Sequence, residues 1–247
     1  MANHLSVGVQ TWGSAILLGR RMAKYPGQFG LFDSYGSEGI RILELGAGTG
    51  LLSILCRKLL DLKAATDSSS SSSPRTPNHR EHEEGKGKGL IVATDFLPEV
   101  IDNLKTCVNL NFPSSETGIE IAKLDWTTFP TYMANSQSPT ADVGARPENG
   151  EEEEEEETSQ FMDKPFDLIL ASDCVYDETH ARILREVVSW TLRLPEDGDE
   201  GGTFVCSFLS FFYLTRPFFR SFLTLIYTLT LAHELSLCRI SFECAVS

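Results

Sequence analysis

Ile40-Arg-Ile-Leu-Glu-Leu-Gly-Ala-Gly-Thr-Gly50 decides the fold of this chain. A short apolar run with one carboxylate, Glu44, leads straight into Gly46, Gly48 and Gly50, and Leu51-Leu-Ser-Ile-Leu55 then opens a helical pattern. Strand, tight glycine turn and helix N-terminus make a cradle for a nucleotide-like ligand, because only glycine lets the backbone approach a ligand so closely. The spacing is G-x-G-x-G rather than the G-x-G-x-x-G of dinucleotide enzymes.

Glu44, two residues before the first glycine, suits a ligand with an ammonium group better than a pyrophosphate. S-adenosylmethionine has an ammonium, a sulfonium, a ribose and an adenine, and it is the expected cofactor of a loop formed by Glu44, Gly46, Ala47, Gly48 and Gly50. The next strand of such a fold ends in an acid for the ribose hydroxyls, about 20 residues on. Leu90-Ile-Val-Ala-Thr-Asp95 is such a strand, yet Asp95 lies 45 residues past Gly50. Between them runs a Ser-rich, then His/Glu/Lys/Gly-rich stretch with almost no apolar residues, expected to be a disordered insertion over 66–88. Without it the gap is close to the usual length, so Asp95 is the candidate ribose ligand. A helix N-cap before Leu97-Pro98 is its competing role.

Ile119-Glu-Ile-Ala-Lys-Leu-Asp125-Trp126 is the third element. An adenine ring needs a flat apolar face and an acceptor for its amine, and Trp126 with Asp125 offers both, although a Trp at a strand end also serves as core. Phe166-Asp-Leu-Ile-Leu-Ala-Ser-Asp173-Cys-Val-Tyr176 is the fourth, a buried strand ending in Ser172-Asp173. Ligands of open α/β sheets sit beyond the carboxyl ends of the strands, which puts Asp173 and Tyr176 beside the reacting methyl. A helix cap is the alternative role for Asp173.

In this order the motifs resemble the eukaryotic seven-strand protein lysine methyltransferases, which modify elongation factors, chaperones and related proteins. Their D-x-x-Y signature matches Asp173 to Tyr176, and their G-x-x-x-W element matches Gly8-Val-Gln-Thr-Trp12. The resemblance implies that Trp12, Gly46 to Gly48, Asp95, Trp126 and Ser172 contact the cofactor, and that Asp173 and Tyr176 shape the lysine entrance. It implies a doubly wound, mostly parallel seven-strand Rossmann-like sheet. Cys174-Val175 stands where the Asn/Asp-Pro-Pro-Tyr enzymes carry prolines, which points to an aliphatic amine acceptor. A small-molecule amine methyltransferase and an inactive binding module are the rival readings.

Composition fits one α/β domain over 1–247, since 41% apolar content is enough for a full core. The net charge of −14 is mostly local: residues 133–163 hold ten acids against Arg146, leaving −5 elsewhere. That segment is expected to be a second disordered insertion. No basic track suggests a nucleic-acid substrate; the protein substrate is what the resemblance implies. The six cysteines are far apart without a C-x-x-C pair or a His cluster, so no metal is expected and reduced core thiols are. The start Met1-Ala-Asn-His-Leu lacks a signal pattern, and the apolar runs near 203–214 and 221–232 fall short of the roughly 20 residues of a membrane span. The expected compartment is the cytoplasm, with the nucleus as a further one.

The last third fits the resemblance least. Relatives end in a helix and an antiparallel strand pair, whereas Leu225 to Ser247 shows at most one strand, at Leu235 to Phe242. The expected consequence is an exposed apolar edge on the strand Thr203 to Ser210 and self-association, with a monomer only if the C-terminus completes the sheet.

Overall fold

The computed structural model of the chain describes residues 10–35, 38–70, 89–113, 117–128, 161–175, 178–195, 201–209 and 239–245. Within them a six-stranded sheet has the order β3-β2-β1-β4-β5-β6. The strands are β1 Arg41–Leu45, β2 Leu90–Asp95, β3 Ile119–Lys123, β4 Leu168–Ser172, β5 Thr203–Leu209 and β6 Arg239–Ala245. The helices are α1 Gly13–Lys24, α2 Leu51–Ser70, α3 Pro98–Asn111 and α4 Glu178–Thr191. The chain enters the sheet at its centre, β1, runs outward to β3, then returns through β4 to the other side. The switch point between β1 and β4 is where such sheets leave a crevice.

Strand sequences explain the two-sided packing. Ile42, Ile91, Leu168, Leu170 and Val205 pack on one face with Leu18 and Met22 of α1, Leu52 and Leu59 of α2, and Leu104 of α3. Leu43, Leu45, Ile169, Ala171 and Phe204 pack on the other with Leu184, Val187 and Val188 of α4. Both faces are therefore covered, as near-continuous apolar strands of a parallel sheet require. Below the sheet, the Asp167 carboxylate accepts the Arg41 N–H at 2.8 Å and pairs with Arg193 at 2.7 Å, tying β1 to the turn before β5.

Three sequence expectations change. The described sheet has six strands, and β6 runs parallel to β5 from Thr203↔Arg239 to Leu209↔Ala245, where the resemblance places an antiparallel pair and an unpaired β5 edge was expected. The edge of β5 is thus paired along its whole length, and the exposed edge inferred from the missing hairpin is absent. That expectation came from the resemblance; an apolar strand buried on both faces is equally suited to a parallel neighbour. The Ser-rich insertion begins later than expected, because α2 continues to Ser70. Hydroxyls of Thr66, Ser68 and Ser69 donate to carbonyls of the preceding turn, carrying the helix into the serine tract. Residues 71–88 and 129–160 lie outside the described residues. Among the described residues no helix is long and apolar enough to cross a membrane, and no group of three or more His, Cys, Asp or Glu could hold a metal.

Candidate active site

A cavity of about 300 Å³ opens over the carboxyl ends of β1 to β4. Trp12, Glu44, Gly46, Ala47, Gly48, Asp95, Asp125, Trp126, Ser172 and Asp173 all line it. Gly50 does not, and Tyr176 lies outside the described residues. Gly50 is a packing glycine: its φ is +73°, and a Cβ there would collide with the Leu104 side chain of α3. The third glycine of the motif thus brings α3 close to the loop, and the first two line the cavity.

The loop itself is bound into the sheet. The Ala47 N–H donates to the Thr94 carbonyl at 2.8 Å, and the Gly48 N–H donates to the Asp95 carboxylate at 3.1 Å. The other Asp95 oxygen accepts the Phe96 N–H at 2.9 Å. Helix α3 has Leu97 as its N-cap with no side-chain cap bond, so Asp95 is not a helix cap. Gly46 and Gly48 both have positive φ, +66° and +56°. A Cβ on Gly46 would lie 2.8 Å from Cys174 Cβ and 3.9 Å from the Trp126 ring, so glycine is required where the β1 and β4 ends meet.

Glu44 differs from expectation. It lines the cavity at only 4% exposure, and its carboxylate accepts both the N–H (2.9 Å) and the hydroxyl of Ser53 in the first turn of α2. Burial, partly offset by the Ser53 bonds, pushes its pKa up to about 7. Its first task is therefore to cap α2. A helix end that would otherwise attract a phosphate is already occupied by a carboxylate.

On the far side of the seam, contacts come from distant parts of the chain. Ser172 Oγ is 2.7 Å from Ser14 Oγ of α1, and the Asp173 N–H donates to the Ser207 carbonyl of β5 at 2.9 Å. Asp173 has φ +52°, the one positive value on a described non-glycine residue. Thr11 Oγ1 is 2.7 Å from Thr49 Oγ1, closing the N-terminal segment over the glycine loop and setting Trp12, 44% exposed, at the rim. Asp125 accepts the Thr127 N–H and hydroxyl at 2.8 and 2.7 Å, which fixes the turn that presents Trp126. Phe96, Cys174 and His180 also line the cavity; none was named as a site residue from the sequence, Cys174 entering there only as a replacement for proline. Phe96 and Cys174 each directly follow a strand-end Asp, a usable signal; His180, on the first turn of α4, had none. Burial holds the Cys174 thiol well above its ordinary pKa.

The fold and site define a parallel α/β domain with a glycine-loop cavity at its switch point. No family model matches the chain. The chain is 28% identical over 178 residues to protein-lysine N-methyltransferase rrg1 of Schizosaccharomyces pombe (strain 972), covering 71% of this chain and 39% of the relative. It spans well under half of that relative's length. Among solved structures it is similar to a magnesium protoporphyrin IX methyltransferase from Synechocystis PCC 6803 with bound SAH (TM-score 0.38, 11% identity, 73% of this chain and 52% of that one). It is also similar to Aeropyrum pernix fibrillarin with bound S-adenosyl-L-methionine (TM-score 0.34, 18% identity, 69% of this chain and 49% of that one). At scores below 0.5 neither structure bears on this chain's function.

Proposed function

We propose that this chain binds S-adenosylmethionine and transfers its methyl group to the side-chain amine of a lysine in a protein substrate. The observation that carries the reading is the convergence of Gly46, Gly48, Asp95, Trp126 and Asp173 on one cavity. The cavity fits the cofactor in kind. It has backbone without Cβ at Gly46 and Gly48, a carboxylate at Asp95 for vicinal hydroxyls, and an indole at Trp126 for a purine face. The named sequence relative supports lysine as the acceptor.

Bound there, the cofactor supplies an electrophilic methyl on a sulfonium. The protein's part is positioning. Asp173, its N–H held by the Ser207 carbonyl, offers a carboxylate to the incoming amine, and Trp12 at the rim offers an apolar face to the cofactor. The amine reacts in its neutral form, so its ammonium proton must leave to water or to a wall carboxylate before attack. Incubating the full chain with radiolabelled S-adenosylmethionine and a cell extract, followed by gel separation, tests the reading. A discrete labelled protein band whose label survives base and resolves as methyl-lysine is expected. Label confined to small molecules would replace the protein substrate with a free amine.

A further inference from the structure

We infer that Ser14 of α1 is a positioning residue for methyl transfer, holding Asp173 in place through Ser172 and Ser207. This rests on the role proposed above for Asp173. The four residues close a ring. Ser14 Oγ is 2.7 Å from Ser172 Oγ, and Ser172 leads directly into Asp173. The Asp173 N–H donates to the Ser207 carbonyl at 2.9 Å, and the Ser207 hydroxyl completes the ring with a long donation, 3.5 Å, to the Ser14 carbonyl. Ser172 and Ser207 are register partners on β4 and β5.

The packing rows show that these hydroxyls stand where apolar side chains would otherwise continue. Ser14, Leu18 and Met22 recur every four residues on the buried side of α1, and the last two pack with Leu170 and Val205. One alternation further toward the carboxyl ends, Leu170 gives way to Ser172 and Val205 to Ser207. Ser14 is 0% exposed and Ser207 2%. A buried hydroxyl costs free energy unless it is bonded, and alanine would continue the row without that need. What the hydroxyls add is direction, because each fixes a particular partner. The strand end they fix carries Asp173 at φ +52°, a conformation that persists only where the surroundings over-determine it. The segment leading into α1 is also tied to the glycine loop, with Thr11 Oγ1 2.7 Å from Thr49 Oγ1. Ser14 therefore sets where Asp173 stands relative to the loop proposed for the cofactor.

The test compares the full chain with Ser14→Ala and Ser14→Thr in three measurements: amide hydrogen exchange, S-adenosylhomocysteine affinity by calorimetry, and the initial rate of protein labelling in a cell extract at saturating radiolabelled S-adenosylmethionine. In Ser14→Ala the Asp173 amide should exchange about tenfold faster and labelling should slow about tenfold, the scale of one buried hydrogen bond. Affinity for S-adenosylhomocysteine should stay within about twofold, and the amides of Ile169 to Ala171 should stay protected, which shows that the variant is folded. Ser14→Thr, which keeps the hydroxyl, should restore both losses. If threonine is too large for the site, Ser207→Ala, which keeps the carbonyl bonded to Asp173, should reproduce the faster exchange and slower labelling. Unchanged exchange at Asp173, faster exchange with unchanged labelling, or equal losses in exchange, affinity and labelling would each overturn the positioning role. A wild-type chain that labels no protein would overturn the transfer reading, and exchange at Asp173 would still decide whether Ser14 holds that residue.

Discussion

Two aspartates at strand ends face the same cavity and are held in opposite ways. Asp95 is fixed by its own neighbourhood: its carboxylate takes N–H groups from the adjacent glycine loop and from Phe96. Asp173 is fixed from outside, through its backbone to Ser207 of β5 and through its neighbour Ser172 to Ser14 of α1, 158 residues away in sequence. The half of the cavity proposed for the cofactor is thus preorganised by local motif, whereas the half proposed for the acceptor exists only when distant strands and helices have docked. Backbone strain follows the same division. Positive φ falls on glycines in the loop half and on an aspartate in the acceptor half. A left-handed non-glycine residue at a cavity costs free energy, which fits the role proposed for the Asp173 side chain.

The seam between the halves is the place to break both at once. Gly46→Ala would force a Cβ against Cys174 in a left-handed residue, and a loss of about 2–4 kcal/mol in stability is expected. Denaturant unfolding measures it; a loss under half a kcal/mol would mean that the two strand ends can separate freely. Breaking the loop half alone gives the next effect. Asp95→Ala should weaken S-adenosylhomocysteine binding by about 1.5–3 kcal/mol through lost charged hydrogen bonds, with the melting temperature changed far less. Calorimetry showing unaltered affinity would remove Asp95 from the site.

Glu44 sharpens the comparison through pH. Its folded pKa of about 7 is raised above the ordinary carboxyl value of 4.5, so the folded state binds the proton more tightly than the unfolded chain does. The resulting stability is fully present below about 4.5 and is lost as pH rises through about 7. Glu44→Gln, which keeps an acceptor for the Ser53 N–H, should flatten this component, on the order of 1–3 kcal/mol, in unfolding measured between those limits. An identical pH profile in wild type and variant would show that Glu44 stays ionised in the fold. The smallest effect belongs to the acceptor half and has the opposite sign. Asp173→Gly relieves the left-handed strain and should raise stability by about 1 kcal/mol while methyl transfer collapses. A variant that is less stable than wild type would show that the carboxylate itself holds the turn.

Much of the site was legible because its parts obey short-range rules. Glycines before a helix, an acid at a strand end and an Asp-Trp pair after an alternating strand can be read without knowing what lies opposite, and each residue of these kinds named above, Gly50 excepted, lines the cavity. Glu44 was legible in place though only partly in role, since its bond to Ser53 depends on α2 starting where it does. Gly50 lies off the cavity wall, because a motif shows that glycine is needed but not which neighbour, here Leu104, demands it.

The residues alone therefore determined the alternation of strands and helices, the site of the glycine turn and the acids that could meet a cationic cofactor, since hydrophobic period and backbone freedom are properties of the local chain. Only the tertiary structure decided that β6 lies parallel along β5, that Ser14 meets Ser172, and that His180 joins the wall. Those contacts join segments remote in sequence, and no residue type at either end specifies its partner until the sheet order brings the two together.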